Sequence, residues 1–188
     1  MLDWHSIQAT LFSLVRSDIE VFASSHKAEQ FYGFYLDCNS YYGDVLPCLN
    51  TPDLLRRDAK LKKFDLTAKV GKMLRHELYA DYSVDEIEER LRWSPGDWNY
   101  IQINQWDKWR QHWKPVCTLI ENVRDDDESF EEQFMEMACR LLIQIEQSGV
   151  LNLLQLTPDF ATMCADHDES DDASRSRLDR IRRQATAS

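Results

Sequence analysis

Glycine is scarce, with five residues in 188. None of them builds a phosphate-cradling loop, a dinucleotide-binding fingerprint or a GxSxG elbow, so the common nucleotide and serine-hydrolase signatures are missing. The five cysteines (Cys38, Cys48, Cys117, Cys139, Cys164) are odd in number and form no CxxC pair, which argues against a disulfide framework and a zinc knuckle. Buried reduced thiols are expected, with Cys38 and Cys48 as candidates to face each other across a hairpin. His76-Glu77 does not continue to HExxH, because position 80 is Ala80. A Cys–His nucleophile pair has no local signature; Cys164 with His5 or His112 is an arbitrary choice among several. No catalytic residue and no cofactor are assigned.

No apolar run approaches the roughly 20 residues needed to cross a bilayer. The N-terminus, MLDWHSIQATLFSLVRSD, lacks the basic start and cleavage site of a signal peptide, so a cytoplasmic protein with no membrane contact is expected. Basic charge is also in deficit: the formal net charge is −11. Counterion release from a phosphate backbone needs clustered Lys and Arg, so direct nucleic-acid binding is not expected. An acidic surface steers a partner with a basic surface instead.

The apolar share, 43%, supports a packed core. Residues 3–24 space Ile7, Leu11, Leu14, Val15 and Phe22 as one helical face. The aromatic, β-prone run Phe31–Cys38 and the run Val45–Leu49 are separated by Asn39, Ser40 and Gly43, a hairpin signal. Pro47 cannot donate to a ladder, which places its strand at an edge or a bulge. Thr51-Pro52 opens a helix through Leu54, Leu55 and Leu61 toward Gly71. Ser83 and Glu86 form a capping box before the face Val84, Ile87 and Leu91. Pro95-Gly96 then turns the chain, expected as type II. A helix over 104–121 carries Trp106, Trp109 and Trp113 on one face, with Pro115 as a break point. The acidic run Asp125, Asp126, Asp127 and Glu128 suits a helix N-terminus, and the following stripe Phe130, Phe134, Met137, Leu141, Leu142 and Ile145 ends at Gly149. Phe160–Ala165 reads as a late strand, and 173–183 as a basic helix.

These elements predict an α+β fold: one domain over 1–183 and a frayed tail over 184–188. The sheet is expected to be small and mostly antiparallel, about three to four strands packed by about five helices. The candidate binding residues are Trp93, Asp97, Trp98, Asp125, Asp126, Asp127, Asp166 and Asp168. Trp93 and Trp98 are expected to pin their turn onto the Trp106–Trp113 helix. Asp166, His167 and Asp168 are weak metal candidates, since hard cations take oxygen ligands; the loop lacks EF-hand spacing, and a helix-capping role for Ser170 or Asp171 competes. The arginines 175, 177, 180, 182 and 183 are expected to fold back onto acidic groups or to favour the C-terminal end of their own helix.

The order of elements and the motif Arg92-Trp93-Ser94-Pro95-Gly96-Asp97-Trp98 resemble the bacterial family of domain of unknown function 4303, over roughly residues 3–180. Trp93-Ser94-Pro95 with Asp97-Trp98 is the most specific part, and the C-terminal end departs from the pattern. The resemblance implies fold and bacterial origin. Small families of this kind often accompany toxin systems as immunity proteins, which suggests a non-enzymatic protein-binding module of immunity or regulatory type. Two other classes stay open: a small hydrolase or metal-dependent enzyme using the Asp166–Asp172 loop, and an assembly subunit. The sequence leaves the oligomeric state open.

Overall fold

A computed structural model describes residues 2–68, 82–127, 129–167 and 169–186. Among them are seven α-helices and three strands, an α+β arrangement. Helix α1 (Trp4–Ser25) starts where Asp3 accepts a hydrogen bond from the Ser6 amide at 3.1 Å, and all five expected face residues are buried. Strands β1 (Gln30–Asn39) and β2 (Asp44–Asn50) form the expected hairpin. Its turn needs Gly43, where φ is +70° and an added Cβ would lie 2.8 Å from Ile120 Cδ1.

β2 is an edge strand, in sheet order β2-β1-β3. Its outer side meets the segment after the Trp98 turn: Leu49 donates to the Tyr100 carbonyl and Ile103 donates to the Pro47 carbonyl, both at 3.0 Å. Residues 47 and 49 point the same way along the strand, so Pro47 sits where its missing N–H costs β1 no ladder bond. The expectation of a mostly antiparallel sheet is corrected. β3 (Gln155–Asp166) pairs with β1 in parallel, making the sheet mixed. The cause is the long crossover: α6 (Phe130–Ser148) lies between, so β3 enters the sheet in the direction of β1. β3 is longer than the expected 160–165 because it also pairs at Gln30 and Phe31; residues 157–160, including Pro158, bulge out between Leu156 and Ala161.

Helix α2 (Pro52–Ala68) starts as expected, with Leu54 donating to Thr51 Oγ1 at 3.2 Å. Leu55 is buried and Leu61 is exposed; the expected end near Gly71 lies outside the described residues, as do His76 and Glu77. Both arms of the Ser83–Glu86 capping box are present at the start of α3 (Val84–Leu91). The Pro95-Gly96 turn is a short 3-10 turn over Pro95–Asp97, not type II, and Gly96 does not take a positive φ. Pro115 splits the tryptophan helix into α4 (Trp106–His112) and α5 (Lys114–Val123). The expected three-tryptophan face is also corrected: Trp109 and Trp113 are buried, whereas Trp106, in the first turn of α4, is 67% exposed.

The whole α6 stripe is buried, and Gly149 ends the helix at φ 72°. Helix α7 (Asp171–Thr186) carries on past the expected fraying point, so Gln184 to Thr186 are helical. Three of its arginines fold back onto acidic groups: Arg177 pairs with Glu169 and Glu132, Arg180 with Glu132 and Glu136, and Arg182 with Glu146. All five cysteines are free and buried. Cys38 and Cys48 do not face each other, since Cys38 pairs with Val45 and Cys48 with Tyr35. Cys38 instead lies on the α6 side, its Sγ 3.9 Å from Cys164. Among the described residues no helix is long and apolar enough to cross a membrane.

Candidate functional site

Alternation along β1 divides its side chains between two faces. Phe34, Leu36 and Cys38 look toward α6; Gly33, Tyr35 and Asp37 look toward the Trp93–Trp98 turn. Glycine at 33 lets that turn approach the strand closely. An added Cβ would lie 3.0 Å from Trp98 Cη2 and 3.3 Å from Trp93 Cζ3. Trp98 packs edge-on against Tyr32 and Tyr35, with ring centroids 5.7 and 5.8 Å away, and 6.1 Å from Trp93. The two tryptophans therefore pin their turn to the central strand, not to the α4–α5 segment as the sequence suggested. Their wide sequence separation from β1 hid that partner. Asp97 closes the turn: Ser94 Oγ donates to its Oδ2 at 2.9 Å, and Lys62 reaches its Oδ1 at 2.7 Å from α2. Asp97 and Trp98 are thus structural parts of the corner, whereas Trp93 faces open space.

That space is a cleft of about 590 Å³. Tyr35 and Asp37 supply it from β1, Glu89 and Arg90 from α3, and Trp93 to Gly96 from the turn. Asp166, His167, Glu169, Asp171 and Arg175 supply the opposite wall. Parallel pairing makes this wall. Cys38 lies beside Asp166 in register, so both strands finish at one end of the sheet. There Ser40 donates its amide to Asp166 Oδ2 at 3.1 Å, and His167 donates its amide to the Cys38 carbonyl at 2.8 Å. Ser170 then takes the capping position of α7, accepting from the Ala173 and Ser174 amides. Asp168 lies outside the described residues.

Asp37 is the unusual group. It is 6% exposed, and its nearest charged partner is His167, whose Nδ1 lies 3.6 Å from Oδ1 while its own side chain is 61% exposed. Burial raises the Asp37 pKa above the ordinary aspartate value, and His167 offsets part of that rise. A carboxyl whose folded-state pKa is raised contributes stability below 3.8 and loses it as pH climbs through the folded-state value. Asp37→Asn removes that penalty. Relative to the parent it should therefore gain stability at neutral pH, and the gain should shrink toward zero as pH falls to 3.8. Urea melts of both proteins across that range measure the difference. Asp37, Tyr35, Glu89, Arg90 and Arg175 belong to no site motif in the sequence. The one local signal for Asp37 was a carboxylate inside an otherwise aromatic and apolar strand.

The second acidic segment has two roles. Asp127 accepts from the Ser129 amide and hydroxyl and from Gln133 Nε2, bonds that hold its pKa below the ordinary value and secure the start of α6. Asp125 is exposed beside Arg124; the Asp126 side chain and Glu128 lie outside the described residues. Arg124 donates to the Tyr41 carbonyl and stands 3.7 Å over the Tyr41 ring. The two acidic segments thus flank the β1–β2 turn from opposite sides, Asp125 through Arg124 and Asp166 through Ser40. From a third side the Trp113 indole donates to the Gly43 carbonyl at 3.0 Å. Tyr41 and Tyr42 project from this fastened turn at 49% and 54% exposure. Tyr42 also borders a groove of about 790 Å³ that includes Leu46, Trp106, Asp44 and Glu121.

Among the described residues no three of His, Cys, Asp and Glu come together to hold a metal ion. Asp166 and His167 lie side by side, but Asp166 is engaged by Ser40 and His167 leans over Asp37. Cys164 is fully buried against Cys38, whereas His5 and His112 are exposed, so neither histidine joins it. Burial pushes the Cys48 thiol up to about 12 and that of Cys117 up to about 11, which keeps both thiols protonated at neutral pH.

A family model described as Domain of unknown function (DUF4303) matches residues 11–185. The match extends through nearly all of α7. No curated protein and no solved structure matches the chain.

Proposed function

The chain belongs to the DUF4303 family, and on that footing we propose that it is a non-enzymatic protein-binding module of immunity or regulatory type in the bacterial cytoplasm. Its partner presents a basic surface. The observation that carries this reading is the exposed Tyr41–Tyr42 pair on a turn fastened by Ser40, Gly43 and Arg124. Tyrosines held in place supply large contact area at little conformational cost, and Tyr and Trp dominate binding hot spots. The exposed Trp106 across the neighbouring groove extends the same aromatic surface. Asp44, Glu121, Asp125 and Asp166 set negative charge around it, which, with the net charge of −11, speeds encounter with a basic surface.

The test is affinity capture from the native host at low salt, with the parent chain and a Tyr41→Ala/Tyr42→Ala variant compared at matched folding. A partner held by the parent, released as salt rises and bound about a hundredfold more weakly by the variant is the expected result. Failure to recover a partner, or equal retention by both proteins, would overturn the reading.

A further inference from the structure

The cleft between β1, α3 and the start of α7 has a chemistry of its own, apart from the tyrosine turn. Its floor is a carboxylate, Asp37, more than nine-tenths buried. Among the described residues its one ion-pair partner is the His167 ring, 3.6 Å from Oδ1 and itself 61% exposed. A carboxylate at the base of an accessible cleft, with one long contact to an exposed imidazole, has lost most of its water and regained little in exchange. The other residues around it supply no further partner. Glu169 is neutralised within the protein by Arg177, and Asp166 is held by the Ser40 amide. Arg90 is turned onto Tyr82, donating to its hydroxyl at 2.7 Å with the guanidinium 4.0 Å from the ring centroid. Arg175 stands 6.0 Å from the Trp93 ring, at the outer limit of a cation–π contact. Asp37, Glu89, Asp166 and Asp171 thus outnumber the two guanidinium groups on the cleft wall.

The walls are aromatic. Trp93 lines it from the turn, and Tyr35, two residues from Asp37 on the same face of β1, lines it from the strand. A buried carboxylate beside aromatic rings complements a positive charge carried on an alkyl stem, because ring faces are electronegative and the stem is apolar. We propose that this cleft binds an organic cation, an ammonium or guanidinium group on a short alkyl chain, with its charge against Asp37 and its stem along Trp93 and Tyr35. A free diamine or guanidino compound and a lysine or arginine side chain of another protein share this chemistry. The volume of about 590 Å³ accommodates either.

Isothermal titration calorimetry on the full chain tests it with three probes: free agmatine, a capped tripeptide with a central arginine, and the same tripeptide with citrulline in its place. Saturable binding of a cationic probe, with a Kd on the order of 1 mM or tighter, is expected, together with no binding of the citrulline peptide. Asp37→Asn keeps the side-chain volume and should weaken the cation at least about tenfold. Trp93→Ala should weaken it as well, and Tyr41→Ala/Tyr42→Ala should leave it unchanged. Preference for agmatine identifies a small-molecule ligand, and preference for the peptide identifies a side chain from a protein partner. Absence of binding to both cationic probes, equal binding of the citrulline peptide, or undiminished binding by Asp37→Asn overturns the proposal. None of those results bears on the tyrosine turn, whose own test uses a different variant.

Discussion

Replacing Trp98 by alanine should cost about 3–5 kcal/mol of stability, a large loss for one side chain. Trp98 is buried and wedged between Tyr32, Tyr35 and Trp93 over the bare backbone of Gly33. Deleting the indole opens a cavity that the strand cannot close, because both neighbours of Gly33 in β1 are held in the sheet and core. Trp93→Ala should cost distinctly less, about 1–2 kcal/mol, since Trp93 is half-buried and one side already faces the cleft. Guanidinium midpoints with matched slopes separate the two. Equal losses for the two variants would show that the corner does not rest on Trp98. The contrast also divides the signature motif into a structural residue and one left available for contact.

Asp18→Ala should destabilise the protein by about 2–5 kcal/mol. Asp18 lies in α1 with 1% exposure and accepts hydrogen bonds from the start of α4: the Gln105 amide at 2.9 Å and the Trp109 indole at 2.5 Å. Removing it leaves donors without a partner where water is largely excluded, so the loss exceeds that of an ordinary surface hydrogen bond. Burial is the largest influence on the Asp18 pKa and raises it, against the hydrogen bonds that lower it. By linkage the parent gains stability as pH falls through the raised value toward 3.8, whereas the alanine variant has no such gain. The gap between parent and variant should therefore widen in mild acid. A gap that narrows there, or a loss below that of a surface substitution, would contradict the role given to Asp18 as the tie between α1 and α4.

Asp18 and Trp98 also illustrate why sequence patterns stop where they do. The spacing of Ile7, Leu11, Leu14, Val15 and Phe22 marked the buried face of α1, but Asp18 on the same face carried no mark, because its partners lie 87 and 91 residues away. Trp109 and Trp113 were legible as buried from their spacing. Trp106 was not legible as exposed: its outward position depends on where α4 begins and what packs beside it. Asp166 and His167 could be picked out by their composition, whereas Asp37, which His167 leans over, had only its place in an apolar strand to mark it.

What the sequence by itself determined is the local framework. The Ser83 box, Thr51-Pro52, the Pro115 break, the hairpin turn at Gly43 and the α6 stripe ending at Gly149 all appear as the residues predicted. Each depends on hydrogen bonds and periodicity within a few residues, where backbone preferences and side-chain spacing decide the outcome. Only the tertiary structure decided that β3 pairs in parallel with β1, that the Trp93–Trp98 turn sits on β1, and that both acidic segments meet at the Tyr41–Tyr42 turn. Those contacts join residues as far as 128 positions apart, as the paired Cys38 and Asp166 are. They are selected by the packing of whole faces, a competition in which no short stretch of chain specifies its own partner.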